Sequence, residues 1–183
     1  MNSEYVTTGV RRSLGGVYRA PLGTTLPDDA DTALAATYKE QGYISEDGVT
    51  LSHEFESTDV REWGGQLVRR ISTARDVTCA LKAIETENIE VLKSVYGDSN
   101  VTGTLATGIT VTDNDTDPGE SVWVIDMIGM DGSNKRIVFP RATISDLGDE
   151  VYKRDEVAGY DITLTALPDE DGVKMYEYLL AAE

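Results

Sequence analysis

The chain has 183 residues, 40% hydrophobic and 27% charged, so it is long enough to bury a core and too apolar for wholesale disorder. Its 33 acidic and 16 basic residues give a formal net charge of −17, which argues against binding DNA or an anionic membrane through released counterions. No stretch approaches the roughly 20 apolar residues of a membrane span, and one cysteine, Cys79, excludes an internal disulfide.

The first predicted feature is an extended N-terminal arm at residues 1–27, followed by a single domain at residues 28–183. The stretch "GGVYRAPLGTTLPDD" (15–29) is too rich in Gly and Pro for a helix and too polar for a membrane anchor. Because an arm of this length frays unless something holds it, we expect it to lie on another copy of the same protein.

A second unusual segment is "SHEFESTDVREWGG" (52–65), which predicts a long polar loop ending in Trp63 and two glycines. Ordered loops longer than about 12–15 residues are uncommon and usually functional. Trp63 therefore either packs within its own domain or anchors a contact with a neighbouring subunit.

The remaining pattern predicts an antiparallel β-sandwich or barrel, since turn signals separate short β-branched and aromatic runs. Strands are predicted at residues 77–85, 121–130, 134–140, 157–167 and 173–180. The strand at 121–130 is apolar on both faces, so we expect its own core to cover one face and a helix or another subunit to cover the other. Its hairpin partner is predicted to end at Pro140, which cannot donate to a ladder.

Helix is scarce. The best candidate is "TENIEVLKSVYG" (86–97), with Thr86 as N-cap and Gly97 as the C-terminal stop, flanking the sheet. A second short helix is expected within residues 28–42.

Catalytic patterns are weak. His53 is the only histidine and lies in an acidic stretch, Cys79 alternates with apolar residues, and no phosphate-binding glycine motif follows a strand. No catalytic, cofactor-binding or metal residue is predicted, and no cofactor. One alternative stays open: Asp113, Asp115 and Asp117 form either a solvated acidic hairpin tip or part of a cation site.

Basic residues are few and partly clustered. No aromatic side chains are interleaved with them, so we expect them to meet acidic patches on neighbouring copies rather than nucleic acid. These residues are Arg11, Arg12, Arg19, Arg69, Arg70, Lys135, Arg136 and Arg141.

Several stretches, in order over about residues 15–178, resemble the major tail tube proteins of long-tailed (siphovirus-type) actinobacterial phages. They are "GGVYRAPLGTTLPDDADTAL", "GYISEDGVT", "EWGG", "IETENIEVLKSVYG" and "GYDITLTALPDEDG". The resemblance implies two antiparallel sheets with a flanking helix, and hexameric rings stacked into a tube around a tape-measure protein. It also implies a conduit that carries the genome into the host, and not an enzyme.

The resemblance assigns roles to particular residues. The arm and the 52–65 loop would carry subunit contacts, through Tyr18, Arg19, Pro21, Leu22 and Trp63. Glu54 and Asp161 would face the lumen, where acidic side chains keep DNA off the wall. Expected partners are other copies of the chain, the tape-measure protein, and the tail-tip and tail terminator proteins; DNA would pass without specific binding, and no membrane is involved.

The expected location is the virion tail, after synthesis in the host bacterial cytoplasm. Two other readings remain: the tube protein of a contractile tail or type VI-like secretion system, and a virion decoration or receptor-binding β-domain.

Overall fold

The computed structural model describes residues 8–11, 16–155 and 157–182, which form a mainly antiparallel β fold with a single α-helix, as predicted. The strands are β1 (Val10–Arg11), β2 (Val17–Pro21), β3 (Lys39–Glu40), β4 (Ile44–Arg61), β5 (Leu67–Ala83), β6 (Val101–Thr104), β7 (Gly108–Val111), β8 (Ser121–Ile128), β9 (Asn134–Leu147), β10 (Tyr160–Ala166) and β11 (Tyr176–Leu180). Helix α1 spans Ile89–Tyr96.

Nine strands join in one sheet, whose main path runs β3-β2-β8-β9-β10-β5-β4, while β1 adds to β8 and β11 adds to β9. The two ends of this path, β3 and β4, are separated in the chain only by residues 41–43. Three residues span about 10 Å at most. The sheet therefore curls back on itself like a barrel, and β6 and β7 form a separate two-stranded hairpin.

The main core lies between the inner face of the curled sheet and α1. Alternate residues of β5 and β10 point inward, as the period-2 pattern predicted for 77–85 and 157–167. The principal core side chains are Val77, Cys79, Leu81, Val91, Leu92, Val95, Trp123, Ile125, Phe139, Ile162 and Leu164. Because these side chains point into the core, the opposite face of β4, β5 and β10 is in contact with solvent.

Strand β8 is covered on both faces, as predicted. Val122 and Val124 point away from the main core and pack with Val138, Leu26 and Tyr38 in a second cluster. The cover is thus the chain's own irregular segment 22–38, and not a helix or another subunit.

The prediction of a helix within residues 28–42 is wrong, because no helix forms there. Asp29 instead accepts hydrogen bonds from the backbone N–H groups of Asp31 and Thr32, at 3.0 and 2.7 Å. Such local bonding offers the backbone an alternative to helix. The segment then enters β3 at Lys39.

Helix α1 confirms the prediction within 86–97, with a different start. Asn88, not Thr86, is the N-cap, because its side-chain oxygen accepts the backbone N–H of Glu90 at 3.0 Å. Gly97 ends the helix as predicted, at φ 93°.

Pro140 does not end its strand. β9 pairs with β11 as far as Val138 and with β10 from Ala142 onward. Pro140 lies between the part of β9 that pairs with β11 and the part that pairs with β10. Its missing backbone N–H therefore removes no hydrogen bond from either ladder.

The prediction of a loop at residues 52–65 is also wrong, because β4 continues to Arg61 and only residues 62–66 form the turn to β5. The polar composition did not signal a loop. It signals a strand whose two faces are both in contact with solvent.

The arm prediction is wrong for residues 17–21. Val17–Pro21 pairs with β8 of the same chain, and Val17 and Ala20 are each 1% exposed. Apolar side chains at these positions find partners within their own subunit, and residues 22–27 continue into the cover over the second cluster. Residues 1–7 and 12–15 lie outside the described part of the chain.

Candidate assembly surfaces

The β4–β5 hairpin extends well beyond the rest of the sheet. β5 pairs with β10 only from Ala83 to Thr78, so from Val77 to Leu67 its ladder partner is β4 alone. Eleven residues of strand span roughly 35 Å. Lys174 braces the base of this extension, since its Nζ lies 2.7 Å from the carbonyl oxygen of Arg75 and 3.0 Å from Asp76.

Large apolar side chains on the outer part of the hairpin, residues 55–71, are exposed to solvent. Each is at least 40% exposed: Phe55, Val60, Trp63, Leu67, Val68 and Ile71. Trp63, at the tip, is fully exposed. Single exposed apolar residues are normal, but a group on one projecting element marks an interaction surface.

The tip is an ordered turn. Glu62 and Gln66 bond through their backbones at 3.0 Å, and the side chain of Glu62 accepts the N–H of Gln66 at 3.2 Å. The backbone N–H groups of Gly64 and Gln66, which donate to the Glu62 carboxylate, lower the pKa of Glu62. Gly65 takes φ 88°, a region that favours glycine. Trp63 is therefore held outward by a fixed turn.

The charged residues of the hairpin are unlike those of the rest of the molecule. Residues 52–76 contain five acidic side chains and four arginines but no lysine, a net −1 in a chain of −17. Arg and aromatic residues are enriched in protein interfaces, whereas Lys is depleted. The arginines, Phe55 and Trp63 of the hairpin are residue types that interfaces favour, whereas its five acidic residues are not.

Two of these arginines have partners on the hairpin itself. Arg70 binds Asp59 at 2.8 Å, and this hydrogen bond lowers the pKa of the Asp59 carboxyl. Arg75 stacks over the ring of Phe55 at 5.2 Å. Arg69, opposite Val60 in the ladder, makes no ion pair with another described residue.

The N-terminal residues expected at an interface do not share this surface. Tyr18 is half-buried against the second cluster. Arg19 is held by Asp98 at 2.9 Å and donates to the Ser121 hydroxyl at 3.2 Å. Pro21 and Leu22, at the end of β2, are exposed.

Glu54 and Asp161 lie on one face of the sheet. Glu54 pairs with Asp76 and Asp161 with Lys82 in the ladders to β5, whose inward residues are Val77 to Ala83 in alternation. Both carboxylates therefore point to the solvent face. Lys82 Nζ lies 3.5 Å from Asp161.

The model of a protein family described as phage tail tube protein matches residues 2–182. The chain is a member of the phage tail tube protein family. Its antiparallel β fold is of the tail tube type, and family membership makes it a structural component of the virion tail that self-assembles into a tube. No curated protein was found to match the sequence.

The family is generally non-enzymatic. Cys79 is fully buried, and burial raises the pKa of its thiol to about 12. His53 is exposed on β4. No helix in the described residues is long and apolar enough to cross a membrane.

Asp113, Asp115 and Asp117 are all exposed between β7 and β8. Asp117 accepts the backbone N–H of Gly119 at 2.8 Å, which fixes a local turn. Within the described residues, His, Cys, Asp and Glu side chains form no group of three or more that could hold a metal ion.

Most of the basic residues that were expected to meet other copies already have an acidic partner within their own subunit. Within this tail tube protein, Arg19 binds Asp98, Arg70 binds Asp59, Lys135 binds Glu177, Arg136 binds Asp126 and Arg141 binds Glu120. Arg12 lies outside the described residues. A basic side chain in an acidic protein has many intrachain partners to choose from, so clustering in sequence does not indicate an intermolecular role.

A buried ion pair was missed by the sequence reasoning. Arg136 is 1% exposed and binds both carboxylate oxygens of Asp126, at 2.6 and 2.8 Å. Its remaining nitrogen donates to the carbonyl oxygens of Asp29 and Thr32 and so holds the covering segment on the sheet. One acid and one base at matched positions of two apolar hairpin strands are the signal that could have revealed it.

Proposed function

We propose that six copies of this chain form a ring and that the rings stack into the tail tube of a long-tailed (siphovirus-type) phage infecting an actinobacterium. The observation that carries the proposal is the projecting β4–β5 hairpin, whose apolar side chains are left exposed by the described residues of their own subunit. Exposed apolar groups and strand edges of this length are an aggregation hazard in a monomer. In a tube they become the contact between copies.

The subunit contacts centre on Trp63, with Pro21 and Leu22 as exposed candidates at the end of β2. Trp is the residue type most often found at binding hot spots, because it buries a large rigid surface. Tyr18 and Arg19 take the smaller part, since most of their surface is already engaged within the subunit.

The lumen wall, in this proposal, is the solvent face of β4, β5 and β10. Its side chains are mainly hydroxyls and acids, including Thr50, Ser52, Glu54, Thr78, Asp161, Thr163 and Thr165. Six copies carry a formal charge of six times −17, or −102, so a share of it on the wall repels the phosphates of passing DNA. Screening limits this repulsion to within about 10 Å of the wall.

The partners follow from the tube. A tape-measure protein fills the bore during assembly, tail-tip and tail terminator proteins close the two ends, and the genome passes through at ejection without specific binding. Synthesis takes place in the host bacterial cytoplasm.

Electron microscopy of the purified chain tests the ring and the role of the hairpin. The wild type should form six-fold rings and tubes. Trp63→Ser combined with Ile71→Ser should abolish tubes while leaving the circular dichroism spectrum unchanged, because both side chains are exposed. Met130→Ser, at an equally exposed apolar position outside the hairpin, is the control. Tubes of normal length from the double variant would refute the hairpin contact.

A further inference from the structure

The hairpin needs a receiving surface on another copy, and its own chemistry defines that surface. Trp63 is fully exposed and Arg69 has no ion pair with another described residue. A complementary surface therefore requires an apolar recess for an indole ring and carboxylates beside it for a guanidinium group.

One cleft of about 340 Å³ has both properties. It lies between α1, β9 and residues 113–118, and its walls include Val95, Tyr96, Asp113, Pro118, Asp146 and Leu147. Leu147 is 43% exposed although apolar. The side-chain carboxylates of Asp113 and Asp146 make no hydrogen bond or ion pair with another described residue.

The other clefts fit the tip less well. The cleft beside β2 and α1 has two carboxylates, but Glu90 already pairs with Lys93 and Asp98 with Arg19, and Lys39 in the same wall repels an arginine. A larger cleft, beside β1, has Glu46 and Asp47 among its walls, but it also contains Arg11, which repels an incoming arginine, and its buried acid Asp126 already binds Arg136.

Another cleft, at residues 84–88, has the carboxylates of Glu85 and Glu87. The two oxygens of Glu85 are already used by the backbone N–H of Tyr43 and the side-chain amide of Asn88, at 2.9 and 2.8 Å. Only Glu87 is left for an incoming arginine, whereas the 340 Å³ cleft offers two carboxylates.

The tip and the 340 Å³ cleft lie toward opposite ends of the sheet. Leu147 pairs with Ile162, which pairs with Leu81, close to the end of β5 farthest from the tip. From Leu81 to Leu67 the strand covers up to about 45 Å. A contact between two different patches is heterologous, and in an orientation that does not close into a ring it repeats along an axis.

We propose that the hairpin tip of one copy binds in this cleft of a copy in the next ring, with Trp63 in the apolar recess and Arg69 paired with Asp113 and Asp146. This inference rests on the proposed tube and names the surface that receives the hairpin. It makes ring stacking directional, because each copy offers one tip and one cleft.

Two variants of the full chain test the assignment. The tip variant carries Trp63→Ala and Arg69→Glu and keeps its cleft; the cleft variant carries Asp113→Lys and Asp146→Lys and keeps its tip. A control with two lysines elsewhere on the exposed surface carries Glu170→Lys and Asp171→Lys. Matching circular dichroism spectra and unfolding midpoints establish that all are folded.

Sedimentation velocity should show ring stacking weakened about tenfold or more in each test variant alone, and unchanged in the control. An equimolar mixture of the tip and cleft variants should associate, since one intact tip meets one intact cleft, and should stop at paired rings. Failure of the mixture to associate, or wild-type stacking by the cleft variant, would overturn the assignment.

The outcomes also separate this inference from the tube itself. If the wild type and the cleft variant both form normal tubes, the assignment of the cleft is refuted, whereas the proposed tube is supported. Association of the mixture without tubes from the wild type would support the cleft and refute self-sufficient tube formation. Absence of association in every sample would contradict both.

Discussion

At the scale of single residues, burial separates the side chains that make the fold from those that join copies. The two tryptophans show the contrast: Trp123 is 1% exposed and donates to the Ser121 hydroxyl at 2.9 Å, whereas Trp63 is fully exposed. Trp123 is satisfied within the subunit. The indole of Trp63 gains an apolar environment only when another copy covers it.

Tryptophan fluorescence should therefore report assembly. We expect the emission maximum to shift to shorter wavelength when tubes form, because Trp63 leaves water while Trp123 keeps its buried environment. Trp63→Phe should remove the shift and leave the emission of Trp123. An emission spectrum that stayed constant through assembly would mean that Trp63 remains in solvent in the tube.

The buried pair of Arg136 and Asp126 should contribute strongly to stability. Asp126→Ala leaves a buried guanidinium without its carboxylate, a change that costs about 3–5 kcal/mol. Glu120→Ala is the matched control, because its partner Arg141 has a side chain 43% exposed and such pairs are worth about 1 kcal/mol or less. Urea unfolding of both variants measures the difference; equal costs would contradict the structural role of the buried pair.

Cys79 should make the protein less stable in alkali. Burial raises the pKa of its thiol to about 12, whereas an unfolded cysteine ionises near 8.5. Between these values the unfolded state releases a proton that the folded state keeps, so stability is complete below about pH 8.5 and falls as the pH rises toward 12.

Comparison with Cys79→Ala isolates this contribution, because Tyr176, whose pKa is raised to about 12 by its hydrogen bond to Asp169, titrates in both proteins. The unfolding midpoint of the wild type should fall more steeply above pH 9 than that of the variant. Identical slopes would show that the thiol is not shielded in the folded state.

At the scale of elements, strands with one or two buried faces were predicted correctly, because burial leaves a regular pattern of apolar residues in the sequence. β5, β10 and the doubly covered β8 were predicted because alternate or continuous apolar residues reflect one or two buried faces. Among the described residues, the outer half of β4 and β5 has no buried face. The sequence of this part therefore shows no alternation of apolar residues, although the two strands pair. The segment 22–38 was misjudged because Asx turns, and not apolar spacing, decide its path.

Shortening the hairpin should separate folding from assembly. Replacement of residues 58–71 by a two-residue Asn-Gly turn keeps the ladder pair Ser57–Ser72 and removes strand that pairs with no other described strand, so the body should retain its unfolding midpoint within a few degrees while tubes are lost. Replacing residues 105–106 at the β6–β7 turn by Asn-Gly is the control. A shortened protein that still formed tubes would show that stacking uses other surfaces.

At the scale of the whole molecule, the class of function was predicted from the resemblance to tail tube proteins, and the acidic composition added that the chain should not bind DNA, but neither gave the positions of the contacts. The excess of acids is a property of the entire chain and survives any error in placing strands. The cleft and the tip, in contrast, bring together residues such as Val95 and Leu147 that are distant in the sequence, and only the register of the curled sheet shows which end each occupies. The acidic charge of the tube can be predicted from the composition, whereas the direction in which the proposed rings stack cannot.

The acidic face predicts how DNA should move through the tube. Glu54→Lys with Asp161→Lys changes the charge by four units per copy and places cations on the proposed wall, where they attract phosphates. Tubes should still form, because neither side chain belongs to the tip or the cleft, but DNA ejection from phage carrying these tails should be slower. The effect should weaken as salt is raised, since screening shortens the range of the attraction. The control is Asp28→Lys with Glu170→Lys, an equal change at exposed positions outside that face. Equal ejection rates for both variants would place Glu54 and Asp161 away from the lumen.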